Sequence, residues 1–218
     1  MTLFAPATPA DRDVATMFVG RIAQLDPAGL VRLLADGPAV ALWAKAGFGV
    51  LATRSVTVKL EPSPLTVYAT DLVGALAVSR ERVLDPGRDV GERWHAQLPP
   101  ADEWADAGVL DPAGIADQVR VGLERARVAV EREREHELAA ATKATVPPAL
   151  LDSVLMSVPS AGELIPISMR MLFALSGMGF ADGDAGAPVR VRTTATWLRL
   201  DAEAGSVARR RMANLPLA

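Results

Sequence analysis

The order of elements in this chain is constrained most by a pattern that occurs twice. Residues 54–78 (RSVTVKLEPSPLTVYATDLVGALAV) and 153–178 (SVLMSVPSAGELIPISMRMLFALSGM) follow the same plan. Each runs from one strand-like stretch through a Pro, Ser or Gly turn into a second stretch, and then into a short apolar helix. In the first, Val56, Val58 and Leu60 alternate with Ser55, Thr57 and Lys59, the period of a half-buried strand. The pattern predicts an α+β fold of two antiparallel β-hairpin/helix halves linked by a long charged helix. It also raises the possibility of an internal duplication. DPAGL at 26–30 and DPAGI at 111–115 support duplication, but they stand 28 and 42 residues before their hairpins, which argues against a clean repeat.

The boundaries follow from local signals. An N-terminal α+β half is expected over residues 1–78. It opens on a helix over 8–25, with Thr8 as cap, Pro9 at the first turn and Asp11 facing the helix dipole. Val14, Phe18, Ile22 and Leu25 share one face of that helix. Residues 30–69 read as an antiparallel meander turning at Asp36-Gly37, although AGLVRLL also suits a helix. Thr70 or Asp71 is the expected cap of the next short helix. Residues 79–110 read as an irregular linker that packs back through Trp94 and Trp104. Asp111-Pro112 starts a long charged helix over 111–146, which ends at Pro147-Pro148. The C-terminal α+β half, 147–218, repeats the hairpin–helix plan with Ser168 as helix cap. Pro166 limits its strand to an edge or a strand end. A second, Arg-rich hairpin follows.

Composition narrows the function classes. With 218 residues, half of them apolar, the chain can bury a substantial core. A formal charge of −3 gives no overall field that attracts nucleic acid or anionic lipid. There is no cysteine, so disulfides, thiolate metal sites and cysteine nucleophiles are excluded. MTLFAPATPADRD has neither the basic start nor the apolar run of a signal peptide, and no stretch approaches the ~20 apolar residues of a membrane helix. A cytoplasmic location is the expectation. Arginine outnumbers lysine 20 to 3, the bias of a GC-rich bacterial genome, which weakens the meaning of any single arginine.

No constellation of catalytic residues emerges. Glu92–His95 and Glu133–His136 have the three-residue spacing that puts both side chains on one helix face, as in di-metal bundles. Such a site needs further inward glutamates on several long helices, and the sequence offers one long helix. No metal is expected there. Ser176 lacks the flanking glycines of a nucleophile elbow, since Ala174 and Met178 stand in their places. AGFGV at 46–50 and GMGF at 177–180 lack the following helix that a phosphate loop requires. Asp102, Glu103 and Asp106, and Asp182 with Asp184, are acidic clusters without the later glutamate of a calcium loop. Met169, Met171 and Met178 read as core or interface fillers. No cofactor is expected, and enzymatic activity is not favoured.

Two groups remain. Arg190, Arg192, Arg199, Arg209, Arg210 and Arg211 stand against only Asp201 and Glu203 in residues 189–218, a candidate surface for nucleic-acid phosphates. The alternative for them is a solvated, edge-protecting face. Ile115, Val119, Leu123, Ala126 and Val130 form an apolar stripe on the long helix, too narrow for a full core face and suited to self-association. The first expectation is therefore a non-enzymatic binding or scaffold protein that forms homo-oligomers, such as a homodimer, and meets a protein partner. The second is a nucleic-acid-binding protein using the C-terminal Arg-rich hairpin. No membrane partner is expected.

Overall fold

The computed structural model describes residues 2–79, 81–136, 146–181 and 187–211, with side chains for all of these except 133–136. The fold is α+β, as the sequence predicts. The chain divides into two compact units: Met1–Ala101 together with Gly205–Val207, and Asp102–Ala204 with the segment from Ala208 onward.

The first unit contains β1 (Leu3–Pro6), α1 (Pro9–Leu25), β2 (Leu30–Asp36), β3 (Ala39–Lys45), β4 (Leu51–Val56), β5 (Val58–Glu61), β6 (Leu65–Tyr68) and α2 (Ala69–Val78). The Thr8 hydroxyl accepts from the Asp11 N–H at 3.1 Å, and Asp11 accepts from the Thr8 N–H at 3.1 Å, a complete capping box. Asp36-Gly37 turns β2 into β3, and 27–35 is a turn followed by strand from Leu30, not helix. The sheet order is β6-β2-β3-β4, all antiparallel. Helices α1 and α2 pack together, and Phe18, Val19, Ile22, Leu72 and Leu76 bury their contact. Each such side chain is worth ~1.5–3 kcal/mol when fully buried. Arg12 closes the end of α2 by donating to the carbonyls of Leu76 and Ser79.

The second unit contains β7 (Ala105–Leu110), α3 (Pro112–His136), α4 (Pro148–Leu151), β8 (Val154–Ser160), β9 (Glu163–Ser168), α5 (Met169–Gly177), β10 (Val189–Thr193), β11 (Trp197–Ala202) and β12 (Gly205–Arg210). Its sheet order is β12-β11-β10-β7. Asp111 caps α3 by accepting from the Gly114 N–H at 2.9 Å. Gly122 brings α3 close to α5 and β8: a Cβ there would lie 3.0 Å from Phe173 Cε1 and 3.2 Å from Leu155 Cδ1. Ile115 and Ala126 bury the same face, and Met169, Met171 and Leu175 fill the core beneath α5.

Both units thus place a strand before a long helix, and a strand before a short helix packed against it. The pairing inside the repeated pattern differs between them. Strands β8 and β9 form a true hairpin, with Pro166 on a two-stranded ribbon as expected for an edge. By contrast, β5 pairs with β1 and β6 pairs with β2, because the chain crosses between β5 and β6 instead of folding back. The two DPAG segments are not equivalent: the first follows α1 and the second begins α3. Within the expected linker at 79–110, β7 is a strand whose pairing with β10 is interrupted by a bulge at Ala107, and Gly91–Arg93 form a single 3₁₀ turn. Expected caps also shift. Tyr68 precedes α2, and neither Tyr68 nor Ser168 makes a side-chain capping bond, so tertiary packing fixes these two starts. The expected end of the long helix beyond His136 lies outside the described residues.

Candidate functional site

The sequence-predicted arginines do not form one surface. On the β10–β11 ladder Arg190 pairs with Asp201 and Arg192 with Arg199, so these four side chains share one face. Val189, Val191, Leu198 and Leu200 occupy the other. Arg192 Nε lies 3.0 Å from Asp106 and 3.4 Å from Asp201, and Arg199 Nε lies 2.6 Å from Asp201. Arg199 also sits 4.9 Å above the ring of Trp104. Arg209 lies elsewhere, beside Asp152, at 2.9 Å. Arg211 donates to the Thr194 carbonyl at 3.3 Å. Arg190 and Arg210 are exposed.

The stripe proposed for self-association is divided as well. Ile115 is fully buried in its own unit, Val119 and Val130 are half-buried, and Leu123 is 57% exposed. Glu92 and His95 are exposed and follow no helical register, because only a 3₁₀ turn at 91–93 precedes His95. The side chains of Glu133 and His136, and all of Asp182 and Asp184, lie outside the described residues. Gly47 and Gly49 form the β3–β4 turn, and Ser176 is half-buried near the end of α5. Among the described residues no three His, Asp or Glu side chains gather as a metal site, and no helix is long and apolar enough to cross a membrane.

The strongest site is a groove of about 280 Å³ in the second unit, between β9, the start of α5 and the end of β12. Met171, Ile165 and Leu198 form its buried floor. Leu164 and Val154 flank it from opposite ends of the β8–β9 ribbon and are 69% and 53% exposed, high values for large apolar side chains. The β8–β9 register explains why Leu164 is available. Leu164 lies opposite Pro159, which has no N–H to give, so its own backbone groups point to the outer edge of β9. Among the described residues no strand pairs with that edge.

One end of the groove is fixed by charge. Asp152 accepts from Arg170 Nη2 at 2.6 Å and meets Arg209 Nη1 at 2.9 Å. Burial pushes the Asp152 carboxyl up, but the Arg170 hydrogen bond and the charges of both arginines outweigh it and hold it below its ordinary value. Asp152 thus stays ionised and anchors β12 to the helix start. Arg210 and Arg211 line the rim, facing Glu163. The polar side chains of this lining are Asp152, Glu163, Ser168 and Arg209–Arg211, and Asp152 is engaged by Arg170 and Arg209. Sequence reasoning missed the groove because its walls come from three separated segments. The available signal was Leu164 next to the Ala161-Gly162 turn, an apolar residue where a solvent-facing one is expected.

Comparison with known proteins bears on the fold. A family model described as a domain of unknown function (DUF8185) matches residues 99–214, and one described as a domain of unknown function (DUF8010) matches residues 1–96. Their boundary coincides with the division into units. No curated protein matches the chain. Among solved structures, the chain is similar to the DNA polymerase sliding clamp from Bacillus subtilis, at 12% identity and a TM-score of 0.59, covering 99% of this chain and 66% of that one. A putative DNA polymerase III beta subunit from Eubacterium rectale gives 9% identity and 0.58, covering 97% and 64%. The Caulobacter crescentus polymerase III beta gives 11% and 0.55, covering 96% and 65%. At these identities the likeness is one of fold, and the chain spans about 65% of the length of these clamps.

Proposed function

The chain belongs to the family described as a domain of unknown function (DUF8185), and on that footing we propose that it is a non-enzymatic scaffold that binds other proteins through the groove of its second unit and self-associates through α3. The observation that carries the reading is the groove itself: an apolar floor, two exposed apolar flanks and an open strand edge. An extended peptide fits such a site, because main-chain bonds to Leu164 supply affinity and the apolar floor selects side chains. The sliding-clamp likeness agrees with a binding role and does not specify the partner.

Charge weighs against the nucleic-acid alternative. Binding to phosphates needs an excess of Lys and Arg on one surface. Helices α1 and α2 carry two arginines against three aspartates, and α3 carries five arginines against five acids. Arg192, Arg199 and Arg209 are each already beside a carboxylate. The expected result with a labelled random DNA duplex is no tight, salt-steep binding. A steep salt slope abolished by Arg210→Ala with Arg190→Ala would restore that reading.

Photo-crosslinking tests the scaffold reading. A benzophenone amino acid at position 164 should give protein adducts that Val154→Asp abolishes. The same amino acid at position 17, where Met17 is 68% exposed outside the groove, should not. Identical adducts from both positions would refute the groove as the docking site.

A further inference from the structure

We propose that the first unit carries a second, separate docking site, where the outer edge of β5 receives an extended acidic segment of a partner protein as an added strand. The geometry starts from one hydrogen bond. The Ala7 N–H donates to the Thr57 carbonyl at 2.9 Å, so Ala7 and Thr57 form a hydrogen-bonded pair. Antiparallel pairs alternate. In the observed register Pro6↔Val58 and Phe4↔Leu60 are therefore the pairs that do not bond each other. Phe4 shows the consequence directly: its N–H and C=O turn away from β5 and exchange two 3.0 Å bonds with Leu84. On the other strand the N–H and C=O of Val58 and Leu60 must likewise turn away from β1. Among the described residues no strand pairs with that edge, and none donates to or accepts from these four groups.

The open edge lines a groove of about 570 Å³ between β5 and the β2–β3 turn. Beside Pro38, Val40 and Val83, its other walls include the small Ala35, Gly37 and Ala39 on the turn, and Ala5 on β1. A backbone can approach small side chains closely, as an added strand at ~4.8 Å spacing must. Among the described residues, the charged ones in the lining are Lys59 and Arg82, both cationic and exposed. Lys59 contacts Glu61 at 3.0 Å, but both partners are more than 60% exposed, and such a surface pair competes weakly with an incoming carboxylate. Charge complementarity thus selects an acidic occupant. A polypeptide is favoured over a nucleic acid because the unpaired groups are alternating donors and acceptors at strand spacing, and two cations neutralise few phosphates.

The test uses the full chain and two labelled peptides, Glu-Val-Glu-Val-Glu-Val-Glu and its lysine counterpart, followed by anisotropy. The acidic peptide should bind and the basic one should not. N-methylation of alternate residues in one register should abolish binding, and in the other register should spare it. Arg82→Glu, an exposed change that leaves the fold intact, should weaken binding by about tenfold or more. Leu164→Asp should leave it unchanged, which separates this site from the groove of the second unit. Absence of binding up to about 1 mM, equal binding of both peptides, or indifference to N-methylation or to Arg82→Glu would each overturn the proposal.

Discussion

Arg209 Nη1 lies 2.9 Å from Asp152 Oδ1, while Arg170 holds the other oxygen of the same carboxylate at 2.6 Å. One aspartate therefore ties the last strand of the second unit to the first turn of α5. Arg209, which the sequence places in a basic cluster, is a structural cation. Removing Asp152 leaves two partly buried guanidinium groups facing each other without it, so Asp152→Asn should destabilise by about 2–4 kcal/mol at neutral pH. The sign with pH follows from its lowered folded-state pKa. The stabilisation is present above the ordinary value of 3.8 and is lost as pH falls through the folded value. Urea unfolding of the two proteins should differ at neutral pH, and the gap should shrink as pH falls through the folded value of Asp152, below 3.8. An undiminished gap in acid would contradict the assignment.

Gly108 occupies φ +141°, and a Cβ there would stand 2.4 Å from Val158 Cγ1. Gly108→Ala should cost about 1–3 kcal/mol through overpacking and backbone strain. Val158→Ala should cost less in the Gly108→Ala background than in wild type. Additive losses in a double-mutant cycle would show that the two positions do not meet.

Thr8→Ala removes half of the capping box on α1 and should cost about 0.5–2 kcal/mol. Asp11 is held below its ordinary pKa chiefly by the Thr8 hydrogen bond. The benefit of the box should therefore fade as pH falls through the Asp11 folded value, below 3.8. Thermal melts of both proteins from neutral to acidic pH measure this.

Leu123 is the exposed member of the α3 stripe, while Ile115 supports its own unit. Leu123→Glu should therefore shift light-scattering mass toward the monomer without lowering the melting temperature by more than a degree or two, as expected of a surface change. An unchanged oligomeric mass would remove α3 as the self-association face.

Much of the fold was legible because local chemistry and tertiary structure agree. Thr8-Pro9 and Asp111-Pro112 start helices where they stand, and Asp36-Gly37 and Glu203–Gly205 turn hairpins. What sequence could not supply was pairing. The alternation in 56–60 identifies β5 as a strand, yet nothing local says that it pairs with β1 and not with β6, since strand partners are set by long-range packing. The sites failed for the same reason. Arg190, Arg192 and Arg199 share one face of the β10–β11 ladder while Arg209 meets Asp152, and carboxylates as distant as Asp106 and Asp152 reach them. The groove beside Leu164 combines residues from 152–171, 198 and 209–211, and no linear motif spans it.

The claim that the second unit binds an extended protein segment is tested most directly by selecting random peptides on the full chain and measuring their affinities for wild type, Leu164→Asp and Arg82→Glu. The account predicts enriched peptides with apolar residues whose affinity falls by about tenfold or more with Leu164→Asp and holds with Arg82→Glu. A selection that enriches nothing, or one in which no enriched peptide loses affinity with Leu164→Asp, would contradict it.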